Sequence, residues 1–264
     1  MIASASVISY LRAQLTGACC LPKINRGQAL KLLQAWRQSR LILGFSEDIE
    51  RKALPIRQAI LAHPFIVGVG NGSLPLENFK HYVKQDYVYL IEYARVLALA
   101  SAKSPDLQAM GWFAGLLDET LNTEMELHRR YCAEFGITRQ DLDATTPAPT
   151  TVAYTSYLLR IAYQGTFPEL VAALMPCQWG YWEIGAHLAA LGEPEHAPLY
   201  GQWIRMYSSP EFAELARSIR SLADGVAEEP AKGQIAKMQD AYLTSIRFEL
   251  GFWDMAQNLE GWKI

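Results

Sequence analysis

Apolar residues in this chain recur at steps of three and four almost everywhere, which is the periodicity of helices buried along one face. Strand-like alternation is scarce, and no Asn-Gly or Asp-Gly turn joins two alternating runs. "GNGS" at 70–73 precedes a helix instead. Ser46, followed by Glu47 and Asp48, reads as a helix cap with an acidic first turn. That helix is expected to run to about His63, bent by Pro55 where it continues through. Pro75 lies in a start signal after Ser73, and a long helix over 76–103 follows. Another follows Pro105 and runs to about Phe135, closing at Gly136. "TTPAPTT" at 145–151 reads as a loop, with helices following at about 151–164, 168–192, 197–208, 210–227 and 231–259. There is no internal repeat, no long linker and no sustained heptad, so the pattern predicts a single all-α helical bundle.

Two polar positions interrupt these apolar faces. In 76–103 the stripe is Phe79, Tyr82, Val83, Tyr89, Leu90, Tyr93 and Leu97, and Asp86 falls on it. In 231–259 the stripe is Met238, Tyr242, Ile246, Phe252, Trp253 and Ala256, and Glu249 falls on it. An inward carboxylate must be hydrogen-bonded or paired, because desolvating an ion costs several kcal/mol, about 3–5 for an unpaired charge. Each acid has two readings: a bond to a core partner, or a place in a dry pocket where burial shifts its pKa for acid–base work.

"LMPCQWGYWEIG" at 174–185 places Cys177 directly after Pro176 in an aromatic stretch. A free cysteine is usually inert core. Pro176 lacks an N–H, and a helix restarting at Cys177 would favour its thiolate. A neighbouring carboxylate would oppose that unless it takes the thiol proton. Cys132, in "RRYCAEF", reads as structural. Tyr82, Tyr89, Tyr154, Tyr181 and Tyr207 lie in or next to apolar stretches, either as packing or as the wall of a site for a flat polar ring. Glu124 with His128, and Glu183 with His187, share helix faces at i,i+4. A di-iron site in a bundle needs a larger ligand set, so these read as surface or half-buried ion pairs, with no metal.

Composition narrows the class. The chain has 264 residues, half of them hydrophobic, enough for one sizeable core. A net charge of −3 gives no basic footprint for nucleic acid. No apolar run reaches membrane-span length, the densest, around 170–182, being broken by Pro176. Four cysteines (Cys19, Cys20, Cys132, Cys177) form no disulfide framework or zinc spacing, and a reducing compartment follows. Six of the 24 basic residues and none of the 27 acidic ones fall within 1–46. Residues 1–45 therefore read as a basic, poorly ordered extension to a domain at 46–264. The protein is expected in the cytoplasm, or in an organelle if that extension is a transit peptide.

An ordered set of segments now stands out: "HPF" at 63–65, "GSLPLENFKHYVKQDYVYL" at 72–90, "YTS" at 154–156, "MPCQWGYWEIG" at 175–185, "WIRMYSS" at 203–209 and "FELGFWDMA" at 248–256. Together they resemble the TenA/thiaminase II family, in its cysteine-containing branch, over roughly 46–260. The resemblance implies a haem-oxygenase-like all-α fold. It implies hydrolysis of 4-amino-5-aminomethyl-2-methylpyrimidine to the hydroxymethylpyrimidine and ammonia, a step of thiamine salvage, with thiamine itself open to cleavage. On it, Cys177 matches the nucleophile, adding to the ring carbon next to the one bearing the aminomethyl group, and Glu249 the acid–base residue. Asp86 matches the carboxylate on the amidine edge of the pyrimidine, and Tyr89 a residue beside the glutamate. Tyr154 and Tyr207 match pocket tyrosines, while Tyr181 and Phe252 match wall positions. The implied protein is a homotetramer that needs no cofactor. The alternative is an oxidase on the same fold, either di-iron or cofactorless.

Overall fold

The computed structural model describes residues 44–228 and 230–263, and among these every regular element is a helix. The expectations for the basic segment through Leu43 lie outside the described residues. The order is α1 (Phe45–Lys52), α2 (Leu54–Leu61), α3 (Pro64–Asn71), α4 (Leu76–Lys103), α5 (Leu107–Glu119), a π turn (Thr120–Glu124), α6 (Met125–Glu134), α7 (Arg139–Asp143), α8 (Pro149–Gln164), α9 (Phe167–Leu191), α10 (Pro198–Tyr207), α11 (Pro210–Val226) and α12 (Gln234–Gln257). No helix among them is long and apolar enough to cross a membrane.

α9 is the centre. Leu170 through Pro176 are all buried, as expected of a helix that is apolar all round. It packs most extensively on α12 and α11, while α4 packs on α5 and α8. Three buried polar side chains set the register of the helices around it. Asn78, at the start of α4, donates to the carbonyls of Ala256 and Gln257 at 3.1 and 2.6 Å, tying α4 to the end of α12. Gln85 donates to the Thr146 carbonyl and accepts from the Ala148 N–H and the Thr151 hydroxyl, tying α4 to the start of α8. Ser245 of α12 donates to the Ala173 carbonyl of α9 at 2.6 Å. Buried amides and hydroxyls satisfied in this way admit one alignment, because a slipped register would leave them unpaired.

Several expected elements are divided differently. The helix expected over 46–63 is two, broken at Ala53, with Pro55 in the first turn of α2, where a missing N–H costs nothing. Pro64 then opens α3, whose cap is the His63 ring accepting the Phe65 N–H. Ser46 does not cap α1: Gly44 holds that position, and Ser46 instead bonds Asp224 of α11 through both its N–H and its hydroxyl. The expected 105–135 helix is interrupted by the π turn at Thr120–Glu124, though it closes at Gly136 in the left-handed region as expected. α8 begins at Pro149, inside the stretch read as loop. α9 runs through Pro176 without restarting, so Cys177 does not sit at a helix N-terminus.

At Gly185, α9 packs closely against the end of α10. A Cβ there would lie 2.6 Å from the Tyr207 carbonyl carbon. Gly185→Ala is therefore expected to push α10 away and destabilise the protein by about 1–3 kcal/mol. A thermal melt checks this, and an unchanged midpoint would show that the two helices can part without loss.

Candidate active site

Between α4, α8, α9 and α12 lies a cavity of about 580 Å³, counting its open mouth, walled mainly by aromatic and acidic side chains. The structure brings all eight sequence-predicted residues to its wall. Asp86 and Tyr89 come from α4, Tyr154 from α8, and Cys177 and Tyr181 from α9. Tyr207 comes from α10, and Glu249 and Phe252 from α12.

Glu249 is only 4 % exposed. Burial raises its pKa to about 7, while the Tyr154 hydroxyl, donating at 2.5 Å, works in the opposite direction. Behind Tyr154 the chain of oxygens continues to Ser245 at 3.1 Å and on to the Ala173 carbonyl. The proton count makes this chain responsive. With Glu249 ionised, the Tyr154 proton is committed to the carboxylate. With Glu249 protonated, the acid donates to Tyr154, Tyr154 to Ser245, and Ser245 to the carbonyl, so every oxygen in the chain is served. A carboxyl group that titrates near neutrality, with a hydroxyl able to follow it, is equipped to give and take a proton.

Cys177 donates its thiol proton to the Leu174 carbonyl at 3.0 Å. Burial pushes its pKa up strongly, the Glu249 charge adds to this, and the Tyr89 and Tyr93 hydroxyls pull it partly back. The resting residue is thus a thiol and not the thiolate that a helix N-terminus would have favoured. Cys132, by contrast, is core, its thiol pushed up to about 12 by burial.

Asp86 is 7 % exposed, and its pKa lies well above the usual carboxylate range because of burial and the charges of Glu124 and Glu249. Its nearest cationic candidate is His128 Nδ1 at 3.7 Å, but burial lowers the pKa of that ring, which spends Nε2 on the Val83 carbonyl at 2.8 Å. Asp86 therefore faces the cavity as a desolvated acid. A carboxyl group is complementary to an amidine edge with the shared proton on either partner. Aromatic rings line the rest: Tyr89 lies 5.3 Å from Tyr154 and 5.9 Å from Phe252, and Tyr181 4.8 Å from Tyr207.

The two Glu-x-x-x-His pairs are not ion pairs. Glu183 binds Arg57 of α2, not His187. Glu124 lies on the cavity wall, while His128 turns to Val83 and Asp86. Among the described residues no group of three or more His, Cys, Asp or Glu is arranged to hold a metal ion. Three polar wall residues went unforeseen: Tyr93, Glu124 and Gln178. Tyr93 was legible as part of the apolar stripe of α4, and Gln178 follows Cys177 directly. Glu124 carried no signal, because the π turn sets its direction.

Comparison with known proteins agrees with this architecture. The chain is 44% identical over 220 residues to the aminopyrimidine aminohydrolase of Halalkalibacterium halodurans, covering 83% of this chain and 98% of that one. A TenA homologue protein from P. horikoshii OT3 superposes with a TM-score of 0.76 at 30% identity, over 82% of this chain and 99% of that one. A Shewanella denitrificans OS217 domain with a heme oxygenase-like fold superposes at 0.66 over 80% of this chain and 91% of that one; at 16% identity it speaks to the fold alone. The TENA/THI-4/PQQC family matches residues 50–259, and with that span, this cavity and these relatives the chain belongs to that family.

Proposed function

We propose that the protein is an aminopyrimidine aminohydrolase of thiamine salvage. It converts 4-amino-5-aminomethyl-2-methylpyrimidine to the hydroxymethylpyrimidine and ammonia, and also cleaves thiamine. The observation that carries this reading is the meeting of a thiol, Cys177, a carboxyl group titrating near 7, Glu249, and a desolvated carboxyl group, Asp86, in one aromatic cavity.

The geometry supports a covalent route. Asp86 holds the 4-amino group and adjacent ring nitrogen, and the aromatic walls hold the ring faces. Glu249 takes the Cys177 proton, and the thiolate adds to the ring carbon beside the one bearing the aminomethyl arm, while Asp86 supplies a proton to the ring nitrogen. The carbon–nitrogen bond then breaks with its electron pair going to nitrogen, and the departing ammonia takes the proton held by Glu249. Water adds to the exocyclic methylene and gives its proton to Glu249. The sulfur leaves, takes that proton back, and the ring nitrogen returns its own to Asp86, restoring the aromatic ring. Splitting one displacement into these steps is covalent catalysis, which suits a thiol that is neutral until a base is at hand. The exposed apolar side chains of Leu107, Leu121 and Tyr163 suit subunit contacts, and the reading extends to a homotetramer in the cytoplasm.

Ammonia release from the aminomethylpyrimidine tests the nucleophile. Wild type is expected to turn over and Cys177→Ser to lose about 10³-fold or more in kcat. Equal rates would show that Cys177 is only core. The pH–rate profile tests the acid–base group: wild type should show an ionisation near 7, the value to which burial raises Glu249. Glu249→Gln should lack that ionisation and fall about 10²–10⁴-fold in rate. Persistence of the same ionisation in Glu249→Gln would assign it to another group.

A further inference from the structure

We propose that Glu124 is a specificity-determining residue of this site, its carboxylate receiving the positive charge on the arm attached to the pyrimidine. That arm is an ammonium in the aminomethyl substrate and a thiazolium in thiamine. The assignment rests on the hydrolase reading of the cavity.

The first observation is the charge of the wall. Among the described residues, Asp86, Glu124 and Glu249 line the cavity, and no lysine, arginine or histidine does. Acids left without a base in a low-dielectric cavity repel one another, and a cationic ligand relieves that repulsion. The second is depth. Asp86 and Glu249 are buried, whereas Glu124 is partly exposed, in a rim shared with the partly exposed Leu116, Phe212 and Leu215. The inner acids face the ring and its reacting bond, and the outer one faces what projects from the ring. An apolar rim around a single carboxylate strengthens its hold on a cation by thinning the water there.

Glu124 also lacks a cationic partner within ion-pair distance among the described residues: His128 turns to Val83 and Asp86, and Arg129 and Arg130 pair with Glu126. Its direction depends on the π turn at Thr120–Glu124, a rare element that, where it occurs in α-helices, is frequently found at functional sites.

An independent feature of the same wall points to a donor-bearing ligand. Gln178 is 3 % exposed, its amide nitrogen donates to the Tyr93 hydroxyl at 2.6 Å, and among the described residues its Oε1 has no donor. Tyr93 links the two residues, for its hydroxyl takes the Gln178 amide and also senses the Glu124 charge. A buried acceptor left unpaired costs free energy until an N–H reaches it, and an ammonium has three to offer.

The consequence is discrimination between substrate and product. Both arms are cationic before the carbon–nitrogen bond breaks, and the hydroxymethyl product is neutral. Glu124 therefore holds substrate and not product, and an interaction of this kind acts mainly on KM.

Steady-state kinetics of Glu124→Gln and Glu124→Asp on the aminomethylpyrimidine and on thiamine, with inhibition by the hydroxymethylpyrimidine, tests this. In Glu124→Gln, KM for both cationic substrates is expected to rise about tenfold, with kcat changing far less, and the product inhibition constant should stay at its wild-type value. Glu124→Asp should recover part of the affinity. An unchanged KM would overturn the assignment. So would a product inhibition constant that rises by the same factor as KM, since Glu124 would then serve the ring or the fold. Wild type inactive on both substrates would overturn the hydrolase reading itself and this assignment with it, whereas active wild type beside an indifferent Glu124→Gln sinks only the role of Glu124.

Discussion

Desolvation of Glu249 is the constraint around which the site is arranged. A carboxylate buried this deeply, with no cation beside it among the described residues, is costly as an ion, and its pKa rises to about 7 for that reason. The Tyr154 hydroxyl keeps the ionised form accessible by donating to it, and Ser245 and the Ala173 carbonyl complete a chain that serves the protonated form. Both proton states are thereby tolerated. The same desolvation holds Cys177 as a thiol and lifts the pKa of Asp86 well above the usual carboxylate range.

That arrangement depends on helices held in fixed register. Asn78, Gln85 and Ser245 are not themselves on the cavity wall, yet they align α4, α8, α9 and α12, from which seven of the eight anticipated residues project. Gly185 lets α10 approach closely enough for Tyr207 to reach the cavity. Behind the site, Arg57 bridges Glu50 and Glu183, and Arg220 spans Glu50, Ser46 and the face of Trp179. These half-buried charges tie α1, α2 and α11 to the back of α9. Their value lies in specifying one packing more than in adding stability.

Much of this was legible in the linear chain. Helical periodicity announced an all-α bundle, and α4 spans the residues expected of it. Asp86 and Glu249 stood out because acids on an apolar stripe require a reason, and Cys177 because of its aromatic setting. Ordered motifs joined these positions, and the cavity gathers them all. Other features were misread. Ser46 looked like a cap because local sequence cannot show that Asp224, far along the chain, claims its N–H and hydroxyl. Pro176 looked like a break, yet α9 is buried on all sides and its neighbours hold it continuous.

What the sequence determined by itself is whatever depends on short-range periodicity: the helices, their apolar faces, and which polar residues are turned inward. Only the tertiary structure decided which inward groups meet and in what electrostatic state, because burial and charge proximity are sums over elements distant along the chain. Glu124 illustrates the division. Its spacing from His128 suggested a local ion pair, but one extra residue in a π turn, and the acids and rings brought against it by α4, α9 and α10, made it part of the cavity instead.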